Sequence, residues 1–215
     1  MEQTRFGYEL TAIHEAAHTV AFALHGLEEY IDELHVEASG LTLGTLQVKQ
    51  GLLFPLFTAD PNHLVMIENI CISLLSAKQA EMKWLRQERP SAGEDLILGF
   101  MWTSGVNDVE QAVELASQRF AADTLAEVTA YIKYVWIRAK AFVDHPENWQ
   151  AIQTLAAAAT EMRRIKRELC LTIIKDAQSR YRGGSTSCKC CPVAQMAEAH
   201  DFESLVKELL IELRA

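Results

Sequence analysis

The residues of this chain best suited to chemistry are two histidines and a glutamate near its start. His14 and His18 stand four positions apart, and Glu15 follows His14 directly. On an α-helix, residues i and i+4 share a face about 5–6 Å apart, so both rings can reach one zinc ion at about 2.0–2.1 Å. In this HExxH pattern of zinc peptidases the glutamate is the general base and not a ligand. We therefore predict a zinc site at His14 and His18, with Glu15 as the catalytic residue.

The element that carries this motif has apolar flanks. Apolar periodicity predicts a helix from about residue 8 to residue 25 that ends at Gly26, the expected C-terminal stop. Few positions on this helix suit solvent, and polar groups inside a protein must be paired. Binding one metal ion is an efficient way to satisfy two histidines and a glutamate together.

The third zinc ligand has to come from elsewhere, because a catalytic zinc usually takes three protein ligands. The metzincin pattern would need a histidine and a glycine where the chain has Leu24 and Ala21, so that class is disfavoured. A thermolysin-like site would use a glutamate on a following helix, and Glu68 or Glu81 could serve by position. The spacing alone leaves this ligand open.

Composition bounds the class of protein. The chain has 215 residues, of which 49% are hydrophobic, and a formal net charge of −9. An acidic chain without an extended basic cluster argues against a nucleic-acid partner. No apolar run reaches the roughly 18 residues of a membrane span, and the start of the chain lacks a signal-peptide pattern, so we expect a cytoplasmic protein. The five cysteines are an odd number, which disfavours a disulfide scaffold.

Apolar periodicity predicts a mainly α (α+β) fold with a small β-hairpin or sheet near residues 33–49. Breaks at proline and glycine divide the remainder into helical segments. The helices predicted after the hairpin are at about 62–88, 107–142, 147–181 and 201–213.

A change of composition near residue 183 predicts a boundary. We expect a helical zinc-peptidase domain over 1–182, followed over 183–215 by a Cys-containing linker and an amphipathic helix. Cys188, Cys190 and Cys191 could bind metal or respond to oxidation, but they lack the paired CxxC spacing of a structural zinc site. Their role stays open.

Four segments, in the same order along the chain, resemble the FtsH family of zinc metallopeptidases. Residues 12–20 (AIHEAAHTV) resemble its HEAGH zinc helix, and residues 34–45 are similar to its strand and Leu-Gly turn. Residues 75–81 (LSAKQAE) resemble its helix ending in Ala-Ala-Glu, and residues 103–112 (TSGVNDVEQA) resemble its T-x-G-A-x-N-D-I/L-x-x-A segment. The resemblance covers roughly residues 8–170.

The resemblance implies a ligand set. In the FtsH family the aspartate of the Asn-Asp pair is the third zinc ligand, which corresponds to Asp108 here. Carried over by position, the zinc ligands are His14, His18 and Asp108, and Glu15 is the general base. The chain departs from the family at Ala17, where the family has glycine, and it lacks the Gly-Arg pair before Ala-Ala-Glu.

Motif and resemblance together predict a zinc-dependent metallopeptidase that hydrolyses peptides or unfolded protein segments. The chain shows neither the family's membrane anchor nor the P-loop of its AAA+ ATPase module, so a separate unfoldase would have to supply folded substrates. A homo-oligomer is a further partner that the sequence leaves open. The alternatives are a catalytically silent zinc-binding interaction or regulatory module derived from such a peptidase, and a zinc hydrolase of another kind. Glu15, the residue an inactive relative would most readily lose, favours an active peptidase.

Overall fold

The protein is mainly helical with a small antiparallel sheet, as the sequence predicts. The computed structural model describes residues 2–36, 45–48, 61–91, 93, 97, 106–120 and 125–183. The α-helices and strands within these residues are α1 (Glu2–Leu24), β1 (Ile31–His35), β2 (Thr45–Val48), α2 (Pro61–Glu88), α3 (Val106–Arg119), α4 (Leu125–Asp144), α5 (Pro146–Met162), β3 (Arg164–Lys166) and α6 (Arg167–Gly183), and a short 3-10 helix spans Glu28–Tyr30.

Helix α1 lies in the core, between α2 and α5. Its middle turns carry small side chains, and Ala16 and Ala17 are fully buried, which lets the neighbouring helices approach its backbone closely. The helix starts before the predicted residue 8 and ends near Gly26 as predicted. Gly26 has φ +76, a left-handed conformation that glycine adopts without strain.

Helix α2 packs against α1, α3 and α4, and most of its length is buried. Its bounds match the helix predicted at 62–88. The single helix predicted at 107–142 is wrong, because the chain forms α3 and α4 instead. The rings of Phe120 and Tyr131 lie 5.5 Å apart, whereas eleven residues of continuous helix would span about 16 Å. Residues 106–119 and 125–144 therefore form two separate helices, α3 and α4, which pack against each other.

The sheet has the strand order β2-β1-β3, with β1 antiparallel to both neighbours. Strands β1 and β2 form the hairpin that was predicted near 33–49. The helix predicted at 147–181 is wrong in its middle, since Arg163 has φ +67 and the next three residues pair with β1. Pairing there buries Ile165, which also falls at helical spacing, so the periodicity gives no sign of the break.

Some predictions fall on residues that the structure does not describe. The helix predicted at 201–213 and the cysteines Cys188, Cys190 and Cys191 lie outside the described residues, so the 183–215 unit stays a prediction. Cys71 and Cys170 are free thiols and both are buried. Among the helices described, none combines the length and the apolar character needed to cross a bilayer.

Candidate metal centre

Helix α1 presents the two histidines side by side, and α3 adds a carboxylate. The Nε2 atoms of His14 and His18 lie 3.1 Å apart. Asp108, in the first turn of α3, places Oδ2 3.0 Å from Nε2 of His14 and 3.4 Å from Nε2 of His18. Tetrahedral zinc ligands at 2.0–2.1 Å from the metal stand about 3.3 Å from one another. The three atoms therefore form a triangle close to one face of a zinc coordination tetrahedron.

The other nitrogen of each ring contacts helix α2. Nδ1 of His14 lies 2.8 Å from Oε1 of Glu81, and Nδ1 of His18 lies 3.0 Å from the backbone oxygen of Ser73. A carbonyl oxygen and an ionised carboxylate can only accept, so both Nδ1 atoms are donors. Helix α2 thus fixes the tautomer of both rings.

This assignment leaves three acceptors facing one another. With Nδ1 protonated, the Nε2 atoms of neutral His14 and His18 carry lone pairs, and both lone pairs face the carboxylate of Asp108. Asp108 Oδ2 is buried and, among the described residues, no donor meets it with hydrogen-bond geometry although both rings are within ion-pair distance. Converging acceptors without a donor need a proton or a metal ion.

The pKa values of the ligands reflect this crowding of acceptors. Burial alone would lower the pKa of His14, but the carboxylates of Glu81 and Asp108 raise it well above its ordinary value. Burial alone would raise the pKa of Asp108, but the adjacent imidazoles of His18 and His14, within ion-pair distance of its carboxylate, hold that pKa well below its usual range. Without a metal ion, the site therefore stabilises the protonated, positively charged form of His14.

Glu68 and Glu81, the glutamates that a thermolysin-like site could use as the third ligand, lie outside the triangle. Glu81 contacts the far side of the His14 ring, and its second oxygen, Oε2, lies 2.9 Å from Nζ of Lys78. Burial alone would raise the pKa of Glu81, but His14 and then Lys78 lower it to about 2. Glu68 pairs with Arg138 at 3.6 Å and with Arg119 at 4.0 Å, so it belongs to a separate charged group.

Glu15 lies next to the triangle and is buried, with 6% of its surface exposed. Burial raises the pKa of Glu15, and the charges of His14, His18 and Asp108 are close enough to act on that pKa. Its carboxylate also accepts a hydrogen bond from the backbone of Leu46 in β2. Strand β2 therefore runs beside the candidate site.

The structure brings together the histidines, the aspartate and the glutamate that the sequence singles out. It adds Ser73 and Lys78, which the motif does not reveal, since their contacts depend on how α2 packs against α1. The group of His14, His18 and Asp108 could hold a metal ion.

Comparison with known proteins adds no further assignment. No protein-family model matches the chain, and no curated protein matches it. The likeness to the FtsH family therefore rests on the motif residues and on their order.

Proposed function

We propose that this protein is a zinc-dependent metallopeptidase related to the FtsH family. The observation that carries the proposal is the convergence of three acceptor atoms, from His14, His18 and Asp108, beside the buried carboxylate of Glu15. Two imidazoles and one carboxylate are a common ligand set for catalytic zinc, and they leave a fourth position for water or substrate.

The charges around the triangle also fit a divalent cation. With neutral imidazoles, the described residues of the site include three ionised carboxylates, those of Glu15, Glu81 and Asp108, and one buried ammonium, that of Lys78, which pairs with Glu81. These groups sum to a charge of about −2, which a zinc ion would neutralise. The tetrahedral spacing of the three donor atoms favours zinc over the octahedral, oxygen-rich sites of magnesium or calcium.

Bound zinc would polarise the scissile carbonyl and lower the pKa of the attacking water from about 15.7 toward about 7. Glu15 would take a proton from the attacking water and pass it to the leaving amine nitrogen. The hydrogen bond from Leu46 orients the Glu15 carboxylate for both transfers. Asp108 would hold the ion through Oδ2, and His14 and His18 would hold it through their Nε2 atoms.

Strand β2 supports a peptide as the substrate. It pairs with β1 on one side and has no described strand on the other, and its backbone contacts Glu15. An extended chain could add to such an edge by main-chain hydrogen bonds. We propose that the substrates are peptides or unfolded protein segments in the cytoplasm. The partners we propose are a separate unfoldase or further copies of this chain in a homo-oligomer.

A matched pair of variants tests the catalytic role. Glu15→Gln keeps the size of the side chain but removes the base, so we expect hydrolysis of a fluorescent unfolded protein to fall by about 10²–10⁴-fold. Zinc content should stay at the wild-type level, because Glu15 is not a ligand. Glu114→Gln, an exposed position on α3, is the control and should retain full activity.

Three outcomes distinguish an active peptidase from a catalytically silent zinc-binding module. Zinc in the wild type with cleavage that depends on Glu15 supports the peptidase. Zinc with no cleavage of any peptide or unfolded protein supports the catalytically silent module. Cleavage that survives in Glu15→Gln contradicts the assigned base.

A further inference from the structure

Two charged residues, Lys78 and Glu81, lie behind the triangle of His14, His18 and Asp108 and are not part of the HExxH motif. Lys78 is completely buried. Its Nζ contacts Oε2 of Glu81 at 2.9 Å, and Oε1 of the same carboxylate contacts Nδ1 of His14 at 2.8 Å. One carboxylate thus joins a buried ammonium to a candidate zinc ligand.

A buried ammonium is costly for a fold. Lysine is among the residues least often found fully buried, and removing its charge from water costs several kcal/mol unless partners compensate. A well-packed apolar side chain at this position would often serve stability as well or better. The presence of Lys78 in the core, one turn before Glu81 on the same face of α2, therefore points to a role in the site.

The geometry defines that role. Each oxygen of Glu81 has its own donor, the ammonium of Lys78 on one and the imidazole of His14 on the other. Rotation of the carboxylate would weaken one of these contacts or both. The orientation of the His14 ring therefore depends on both contacts of the Glu81 carboxylate.

We propose that Lys78 is a positioning residue of the metal site. It fixes the Glu81 carboxylate, so that Oε1 of Glu81 accepts a hydrogen bond from Nδ1–H of His14 and leaves Nε2 of His14 directed at the metal position. This proposal rests on the proposed zinc site but not on peptidase activity. Outer partners of metal-bound histidines affect metal affinity in this way in other proteins.

The test is zinc affinity, measured at pH 8 by competition with a chelator. Lys78→Met removes the charge and keeps much of the volume, and we expect affinity to fall by about 10–100-fold. Lys83→Met is the matched control: Lys83 lies five residues further along α2 and contacts Val143 and Asp144 instead. The control should bind zinc within about twofold of the wild type, because its ammonium contacts Val143 and Asp144 at the end of α4.

A double-mutant cycle shows whether Lys78 acts through Glu81. In the Glu81→Gln background, Lys78→Met should cause little further loss of zinc affinity, since the group it positions is already altered. If the losses simply add, Lys78 does not act through Glu81 and the proposal fails. The double variant removes both buried charges, so it keeps the comparison possible even if Lys78→Met alone does not fold.

Nitrogen-15 NMR of the zinc-loaded protein gives a readout that a purely structural role would not move. In Lys78→Met the Nδ1–H resonance of His14 should shift, while that of His18, held by the Ser73 carbonyl, stays in place. Equal shifts of both rings, or no shift, would overturn the proposal. Failure of the wild type to bind zinc would overturn both this proposal and the proposed function, whereas zinc binding without a Lys78 effect would overturn this one alone.

Discussion

His14 and His18 are the same residue type, one turn apart on one helix, and their Nε2 atoms face the same aspartate. Behind the rings they differ. His14 is held by the Glu81 carboxylate, which Lys78 pairs, and His18 is held by the backbone oxygen of Ser73. The proximity of the two Nε2 atoms is thus set by spacing within α1, whereas the contacts behind the rings are set by the packing of α2.

The difference makes one ligand more sensitive to mutation than the other. A helix carbonyl stays in place when a side chain is replaced, so the support of His18 belongs to the backbone. The support of His14 needs two buried, charged side chains to be present and correctly placed. We therefore expect substitutions behind His14 to change the metal affinity more than substitutions behind His18.

The largest contrast is expected between Glu81→Gln and Ser73→Ala. Glu81→Gln removes the charge behind His14 and should weaken zinc binding by about 10–100-fold. Ser73→Ala removes a hydroxyl that bonds to the carbonyl of Asn69 but leaves the carbonyl behind His18, so zinc affinity should change by less than about twofold. Chelator competition measures both. Equal losses would show that the two histidines are not supported in different ways.

A smaller effect is expected in the stability of the metal-free protein at acid pH. The pKa of Glu81 is lowered to about 2, so its ionisation stabilises the fold above its ordinary pKa of 4.5 and this contribution is lost as the pH falls toward 2. The difference in unfolding free energy between wild type and Glu81→Gln should narrow by on the order of 1–2 kcal/mol from pH 5 to pH 3. Urea unfolding at each pH measures it.

Ser73→Ala supplies the control for the pH series. The carbonyl behind His18 does not titrate, so the unfolding curves of Ser73→Ala and wild type should stay parallel over the same range. A gap between wild type and Glu81→Gln that stays constant down to pH 3 would contradict the charged support of His14.

The main features of the fold were predictable because they are periodic over many residues. Helices α1 and α2 carry long apolar patterns, and the hairpin of β1 and β2 shows a clear change of period. Strand β3 was not predictable: it is three residues long, and Ile165 fits helical spacing while its burial comes from pairing with β1. The left-handed turn at Arg163 has no glycine to signal it.

The residues of the site also differ in how far the sequence alone predicts them. His14, Glu15 and His18 follow from spacing on one helix, since four residues make one turn. Asp108 comes from a different helix and was suggested only by the resemblance to the FtsH family. The pairing of His14 with Glu81 joins residues 67 positions apart, and that of His18 with Ser73 joins residues 55 apart. Such contacts depend on helix packing, which local patterns do not encode.

The central claim is that His14, His18 and Asp108 hold one zinc ion. Elemental analysis of the purified wild type beside His14→Ala, His18→Ala and Asp108→Ala tests it most directly, with His145→Ala, an exposed position before α5, as the control. We expect one zinc per chain in the wild type and the control, and loss of that zinc in the three ligand variants. Zinc retained in Asp108→Ala, or no zinc in the wild type, would contradict it.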